Sequence, residues 1–183
     1  MCDSEGRLTI AKLTDEQERE LIRLERFYWR EARRCEKAKA YLAGCAMAAA
    51  SLETLLILIV NVYSNEAMAT GKAPTKKGAV KPLMQWGLSD LLRVAKSAGW
   101  LPAGLTLGSS WDRRKAKIGD HAEVVREVRN LVHPARYVED HRGKRVTAKY
   151  LHRQFEVVDA CIEWLVHHSE KSLRGHMQRE EVV

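Results

Sequence analysis

Helix-forming sequence dominates the first third of the chain. Thr14 to Gln17 is a capping-box pattern, since Thr is a preferred N-cap residue and Gln stands three positions after it. From there to about Ser64, only Gly44 interrupts the helix-forming residues. One helix over this stretch would be about 75 Å long at 1.5 Å per residue, too long for a compact domain of this size. We therefore predict a bend or break, either near Arg30–Arg34 or at Gly44.

The two halves of this stretch differ in their apolar pattern. Leu21, Leu24 and Tyr28 form one apolar stripe with alternating charge on the other faces, which predicts an amphipathic helix. Residues 46–63 are apolar nearly all round, but the strongly apolar part, Leu55–Val60, is far shorter than the roughly 20 residues that a bilayer requires. We expect this second half to be the central helix of a soluble bundle and not a membrane span.

Loops rich in glycine and proline separate the remaining predicted elements. The stretch 65–82 loses helical periodicity and gathers Gly, Pro, Lys and Thr, which predicts a surface loop. A short helix is predicted to begin at Ser89 or a neighbour and to end at Gly99. Further helices are predicted over 109–119, over 120–133 up to Pro134, and from Thr147 as N-cap onward, with a loop or small hairpin over 135–146.

These elements predict an all-α fold, a compact helical bundle of four to six helices. Residues 1–13 are predicted to be a loose N-terminal arm, residues 14–170 a single domain, and residues 171–183 a polar C-terminal tail. The chain shows no internal repeat and no strand-rich stretch that competes with this assignment.

Charge and cysteine content narrow the classes of function without choosing one. The 183 residues carry 31 Lys and Arg against 24 Asp and Glu, a net charge of +7 that permits a polyanionic partner but is mixed along the chain. None of the four cysteines forms a Cys-x-x-Cys pair, and the polar N-terminus resembles no signal peptide. We therefore expect a cytoplasmic protein without a metal site, in which Cys45 and Cys161 are buried hydrophobic residues.

One short helical segment carries candidate chemistry. His133 stands four residues after Arg129 and seven after Arg126, so the three share a helix face, with Asn130 beside them and Val125 on the apolar side. His133 lies in the last helical turn, whose negative dipole end favours an imidazolium, whereas the neighbouring Arg129 opposes it. A titrating histidine beside permanent cations suits proton transfer while charge builds on a phosphate. The alternative is a helix-capping histidine with solvated arginines.

The sequence resembles HEPN domains (higher eukaryotes and prokaryotes nucleotide-binding domains) over roughly residues 30–170. The resemblance rests on the all-α layout, on the Ala-rich helix AYLAGCAMAAASLETLL, on the helix LSDLLRVAKSAGWL and on the late run RNLVHP. It implies a metal-independent endoribonuclease without a cofactor, often a toxin or antiviral effector. It also implies a homodimer in which both copies of an Arg-polar-x4–6-His motif line one cleft.

The motif departs from the family pattern in its spacing. Arg129-Asn130 matches the Arg-polar start, but three residues separate Arg129 from His133, one fewer than the family minimum. Arg126 and His133 are separated by six residues, which fits, but Glu127 then stands at the polar position. The resemblance implies a general base or acid at His133, phosphate-stabilising cations at Arg126 and Arg129, and an orienting amide at Asn130.

Other residues are assigned supporting roles. Lys76, Lys77, Arg113 and Arg114 are candidates for holding the RNA backbone, the alternative being a solvated surface. Glu53 is similar to the acid that follows Leu in the second helix of such domains, and it either pairs with the arginine or asparagine of the motif in the interior or is partly exposed.

Two functions follow as hypotheses. The first is an endoribonuclease that uses attack by the ribose 2′-hydroxyl, with RNA, a second copy of the chain, and an antitoxin or defence-system protein as partners. The second is a non-catalytic HEPN-like module that acts as a dimerising scaffold or binds a nucleotide or protein. An unrelated helical adaptor is a third reading.

Overall fold

The structure is a computed structural model that describes residues 9–101 and 145–180, and the single residues Ala122, Val125, Ala135 and Val138. In the last helix, side chains are described as far as Ser169. Within these ranges five α-helices, a two-stranded hairpin and one 3-10 turn follow one another. They are α1 (Asp15–Lys37), α2 (Tyr41–Val62), α3 (Ser64–Ala69), β1 (Thr75–Lys76), β2 (Ala79–Val80), the turn Leu83–Gln85, α4 (Leu88–Ser97) and α5 (Ala148–Glu180). The predicted all-α bundle is confirmed.

The start of α1 is fixed by the predicted capping box. The Gln17 backbone N–H donates to Thr14 Oγ1 at 3.2 Å, and the Thr14 backbone N–H donates to Gln17 Oε1 at 3.0 Å. Asp15, Glu16 and Glu18 place negative charge in the first turn, where the helix dipole is positive. This prediction is confirmed in both position and mechanism.

The break between the first two helices lies at neither predicted place. Helix α1 continues to Lys37, and the turn occupies residues 38–40, where Lys39 has a φ of 58°. The Ala40 N–H donates to the carbonyl of Cys35 at 2.8 Å, which closes the helix end. The sequence has no glycine or asparagine at this turn, and these are the residues that usually mark the C-terminal end of a helix. Gly44 does not break α2 but lies inside it, at a place where there is no room for a side chain: a Cβ built there would be 2.9 Å from Leu151 Cδ2.

Helix α2 is the centre of the bundle. Helix α1 packs antiparallel to it, as shown by the hydrogen bonds that join Ser51 to Glu25 and Asn61 to Glu18. Helix α5 runs parallel to it, with Leu151 beside Gly44 at one end. Of the described helices, α2 alone is long and apolar enough to cross a membrane, and 61% of that apolar window is buried inside the fold. The predicted central helix is therefore observed.

The predicted N-terminal arm is not loose at its end. Ile10 is 6% exposed, and the Leu13 N–H donates to Asn61 Oδ1 at 3.0 Å. Lys12 Nζ donates to the carbonyl of Asn61, so an ammonium group sits at the negative end of the α2 dipole. The prediction of a loose arm is wrong for these residues, because they donate hydrogen bonds to the backbone carbonyl and the side chain of the buried Asn61 at the C-terminal end of α2.

The predicted loop over 65–82 contains regular structure. Helix α3 follows α2 almost directly, and β1 pairs antiparallel with β2 in the register Thr75↔Val80. The two connecting residues, Lys77 and Gly78, have φ values of 53° and 77°, as a two-residue type I′ turn requires. Lysine rarely occupies such a position, which is why the pattern did not predict a hairpin.

Helix α4 and the start of α5 follow the prediction. Helix α4 begins at Leu88, and Gly99, just after the C-cap residue, has a φ of 76°. At the start of α5, the Tyr150 N–H donates to Thr147 Oγ1 at 3.4 Å. Helix α5 continues to Glu180, past residue 170 where the sequence predicted a polar tail. Residues at helical spacing along α5 form its apolar stripe: Leu151, Phe155, Val158 and Leu165 are buried, and Ile162 is half-buried.

Cys45 and Cys161 are both fully buried, which confirms their predicted role as small hydrophobic residues. Burial raises the pKa of each thiol to about 12, because the thiolate is poorly solvated in the core. Cys35 is half-buried, and all three thiols are free.

The raised thiol pKa values predict a loss of stability in alkali. The thiol pKa of Cys161 is higher in the folded chain than in the unfolded chain, so the unfolded chain loses its proton first as the pH rises. The buried, neutral thiol therefore contributes to the free energy of unfolding in full below about pH 9. This contribution is lost as the pH rises from about 9 to about 12. We expect wild type to lose about 1.4 kcal/mol more than Cys161→Ala between pH 8 and pH 10. Urea unfolding at both pH values measures this difference, and a difference that stays constant would contradict it.

Candidate functional site

The predicted catalytic residues Arg126, Arg129, Asn130 and His133 lie outside the described residues. The same holds for two of the predicted RNA-binding residues, Arg113 and Arg114. Their assignments therefore stay predictions from the sequence.

Four described residues flank the predicted motif. Ala122 and Val125 are helical and fully buried, so the predicted apolar side of this segment is confirmed at Val125. Ala135 and Val138 are also helical, and both are exposed. The predicted loop or hairpin over 135–146 is thus wrong at these two positions. An X-Pro step can close one helix, and proline is equally tolerated in the first turn of the next, so the sequence signal at Pro134 was ambiguous.

The two predicted lysines lie together on the hairpin. Lys76 is the last residue of β1, and Lys77 is the first residue of the turn. Both are exposed, and the hairpin is anchored to the core by the buried Val80. An exposed pair of ammonium groups on a two-residue turn can contact a phosphate, and it is equally compatible with simple solvation.

Glu53 is half-buried on α2, between the buried residues Leu52 and Thr54. Its predicted partners, Arg129 and Asn130, lie outside the described residues. The pairing stays a prediction, while the partial burial places this carboxylate at the margin of the core.

A second titratable cluster was not predicted from the sequence. Glu66 on α3 accepts a hydrogen bond from Trp100 Nε1 at 2.9 Å, and His168 Nε2 on α5 lies 3.5 Å from the same carboxylate oxygen. The ring of Tyr63 packs edge-on against His168, with 5.3 Å between the ring centroids. His168 Nε2 is shielded from solvent and makes no hydrogen bond within the described part of the chain.

This cluster joins three segments that are distant in the sequence. The Glu66 carboxylate accepts a hydrogen bond from the Trp100 indole N–H and lies beside the His168 imidazole, so it contacts both of the other segments. Because Trp100 is fully buried, the arrangement fixes α3 and α5 around the end of α4. About 100 residues separate Glu66 from His168, which left no sequence signal for the contact.

The outer side of α1 carries a run of arginines that we call the arginine face. It consists of Arg19, Arg23, Arg26 and Arg30, whose spacings of four, three and four residues place them on one side of the helix. All four are exposed, and together with Ile22 and Trp29 they line a groove of about 580 Å³. In the sequence these residues form part of an alternating charge pattern, and their helical spacing is the signal that identifies the face.

A second groove of about 590 Å³ adjoins the first and shares Arg19 and Arg23 with it. Its lining also includes Glu16, Glu20 and the half-exposed Met84. Four arginines and one acid, Glu25, line the first groove. Two arginines and two acids line the second, so the excess of positive charge is confined to the first groove.

Arg33 packs against Trp29, one of the residues that line the first groove. Its guanidinium lies over the rings of Phe155 and Trp29, 4.1 Å and 4.9 Å from their centroids, and 3.4 Å from Asp159 Oδ2. Desolvation raises the pKa of the Asp159 carboxyl, while Arg33 acts to lower it and Glu163 to raise it. The Trp29 side chain of α1 is held against α5, because its ring packs edge-on against the ring of Phe155.

Within the described ranges, no group of three or more His, Cys, Asp or Glu residues is arranged to hold a metal ion. Comparison of the chain with protein-family models, with curated proteins and with solved structures finds no match.

Proposed function

We propose that this protein is a HEPN-like, metal-independent endoribonuclease. The observation that carries the proposal is the placement of Arg126, Arg129, Asn130 and His133 within eight residues at helical spacing. The fold supports it, because the described helices form an all-α bundle around an Ala-rich central helix, as the resemblance implies. Val125, which directly precedes the motif, is buried in the core and ties this segment to that bundle.

The proposed reaction needs no metal. The ribose 2′-oxygen attacks the adjacent phosphorus, the new O2′–P bond forms, and the bond from phosphorus to the 5′-oxygen breaks. His133 accepts the proton of the 2′-hydroxyl or, when protonated, delivers one to the leaving 5′-oxygen. Arg126 and Arg129 stabilise the charge that builds on the phosphate, and Asn130 orients a reacting group by hydrogen bonding. DNA lacks the attacking hydroxyl and is therefore resistant.

The partners that follow from this proposal are RNA, a second copy of the chain and an antitoxin or defence-system protein in the cytoplasm. No cofactor is required. Pairing of two copies places two motifs in one cleft, which doubles the number of cations near the scissile phosphate.

A second candidate function is a non-catalytic HEPN-like module. The observation that favours it is the burial of Ala122 and Val125, since Arg129 follows them by seven and four residues, the separations that share one helix face. This spacing predicts that the face shared by Arg126, Arg129 and His133 overlaps the packed side of the segment, and in this reading Arg129 pairs with Glu53 in the interior. In this reading the motif stabilises the bundle, and the protein acts as a dimerising scaffold or binds a nucleotide or protein.

The test is cleavage of a labelled single-stranded RNA in the presence of EDTA. We expect the parent to leave 2′,3′-cyclic phosphate ends, and we expect His133→Ala to reduce the rate by about 10²–10⁴-fold. Arg129→Ala is expected to reduce it by about 10²–10³-fold, because a group that stabilises the transition state is lost. A substrate with a single 2′-deoxy sugar at the cleaved position should stay intact.

The matched control is His152→Ala, which removes an exposed histidine of α5 with a 67% exposed side chain. It should cleave at the parental rate. Equal cleavage by His133→Ala would point to a contaminating nuclease and refute the proposal. An intact substrate with the parent, together with a large stability loss in Arg129→Ala, would establish the non-catalytic reading instead.

A further inference from the structure

The arginine face of α1 has the properties of a polyanion-binding surface. Its four exposed cations lie along one side of the helix and face a single Glu25 in the first groove. Glu25 is itself engaged, because Ser51 Oγ donates a hydrogen bond to it at 3.0 Å from the buried side. The groove therefore presents an excess of positive charge that is concentrated on one surface, unlike the mixed charge of the whole chain.

The individual arginines differ in how far they are neutralised. Arg23 makes a two-pronged contact with Glu20, with Nε 2.9 Å from Oε2 and Nη2 2.5 Å from Oε1. Within the described part of the chain, Arg19 and Arg26 contact no carboxylate, and Arg30 donates only to the backbone carbonyl of Arg26 at 3.2 Å. Three of the four guanidinium groups therefore retain donors for an incoming anion.

The spacing of these cations favours a chain of anions over a single one. At 1.5 Å of rise per residue, Arg19 and Arg30 are about 16.5 Å apart along the helix axis, and neighbouring arginines are about 4.5–6 Å apart along it. A guanidinium fork binds a phosphate with two parallel hydrogen bonds. A row of such forks suits an extended strand with one charge per unit.

The groove also offers apolar surface between the cations. Ile22 is 40% exposed, and the half-buried Trp29 is held in place by Phe155 and Arg33. Surfaces that bind single strands combine a positively charged track with aromatic or apolar platforms for the bases. An acidic peptide would use the cations but would gain less from the indole and the isoleucine.

We propose that the arginine face of α1 binds the phosphodiester backbone of single-stranded RNA. The inference rests on the proposed function, which supplies RNA as the substrate, and it adds a binding surface on α1 to the predicted lysines on the hairpin. The RNA strand lies along α1, with phosphates at Arg19, Arg26 and Arg30 and bases against Ile22 and Trp29.

The test measures binding and not cleavage. The full chain carrying His133→Ala is titrated into a fluorescein-labelled single-stranded RNA of about 20 nucleotides, and anisotropy is followed at several salt concentrations. Adding Arg19→Ala and Arg26→Ala should weaken binding about tenfold or more at low salt. The slope of log K against log salt should fall by about 1.4, since each phosphate contact to a single strand contributes about 0.7.

The control is the pair Arg93→Ala and Arg145→Ala, which removes the same charge from exposed residues outside α1. It should leave the salt slope unchanged. Circular dichroism verifies that both double variants are folded. This is expected because Arg19 and Arg26 pair with no carboxylate among the described residues, and because the pair that Arg93 makes with Asp90 is an exposed i,i+3 contact, which contributes little to stability. Equal affinity and equal slope for the α1 variant and its parent would overturn the inference, as would tighter binding of a poly-glutamate peptide than of RNA.

The two proposals fail separately in these assays. Cleavage by the parent with no effect of the α1 substitutions on binding would overturn this inference and leave the endoribonuclease standing. Binding that depends on the arginine face, with no cleavage by the parent, would remove the nuclease and retain an RNA-binding surface.

Discussion

Trp100→Ala is expected to lower the free energy of unfolding by about 3–5 kcal/mol, a large share of the roughly 5–15 kcal/mol that stabilises a natural protein. Trp100 is the largest fully buried side chain among the described residues, and its ring packs beside those of Tyr63 and His168, with centroids 6.1 Å away in each case. Truncation opens a cavity at the junction of α3, α4 and α5. It also removes the N–H that hydrogen-bonds to the Glu66 carboxylate.

Urea unfolding followed by circular dichroism measures this loss. Trp100→Phe separates its two components, because it keeps most of the packing and removes the donor, and we expect it to cost about 1–2 kcal/mol. The half-buried Trp164 provides a matched control, since its truncation to alanine should cost less. A loss of less than about 1 kcal/mol for Trp100→Ala would show that this ring is not a main support of the core.

Gly44→Leu is expected to destabilise the protein by about 3 kcal/mol, at the upper end of the usual effect of overpacking. A Cβ at this position would lie 2.9 Å and 3.1 Å from the two terminal carbons of Leu151, and 3.3 Å from Cys35 Cβ. A leucine there would need the space that Leu151 fills, so α5 must shift away from α1 and α2. Gly44→Ala is milder, since its gain in helix propensity of about 1 kcal/mol offsets the displacement of a flexible side-chain end.

A double-mutant cycle tests the assigned cause. If the clash is with Leu151, adding Leu151→Ala to Gly44→Leu should recover about 1–3 kcal/mol relative to the sum of the single effects. Gly87→Leu is the matched control, because a Cβ at Gly87 has no atom within 4 Å among the described residues. If the effects of Gly44→Leu and Leu151→Ala on the free energy of unfolding simply add, the clash is not with Leu151.

Local signals predicted the parts of the fold that depend on neighbours in the sequence. The capping box at Thr14, the C-terminal glycine at Gly99 and the apolar helix α2 all follow from residues within one or two helical turns. The missed features depend on distant partners or on unusual residues. Lys39 and Lys77 adopt left-handed backbone conformations that lysine seldom takes, and Lys12 gains its role only from the end of a helix 49 residues away.

The same division applies to the candidate sites. The motif that includes Arg129 and His133 is recognisable because its residues stand within eight positions of the sequence at helical spacing, and the arginine face is recognisable by the same kind of spacing. By contrast, the contact of Glu66 with His168 arises only when α3 and α5 come together around Trp100. Helical periodicity says which residues share a face, but it does not say which face a neighbouring helix will cover.

The short turn around Lys39 also sets an order for folding. Helices α1 and α2 meet after closure of a loop of only three residues, whereas α5 reaches Gly44 across more than 100 residues of chain. The entropy lost on closing a loop grows with its length, and local contacts form fastest. We therefore expect the α1–α2 pair to form first and α5 to dock onto it later, when the ring of Phe155 meets Trp29 and Arg33 of α1.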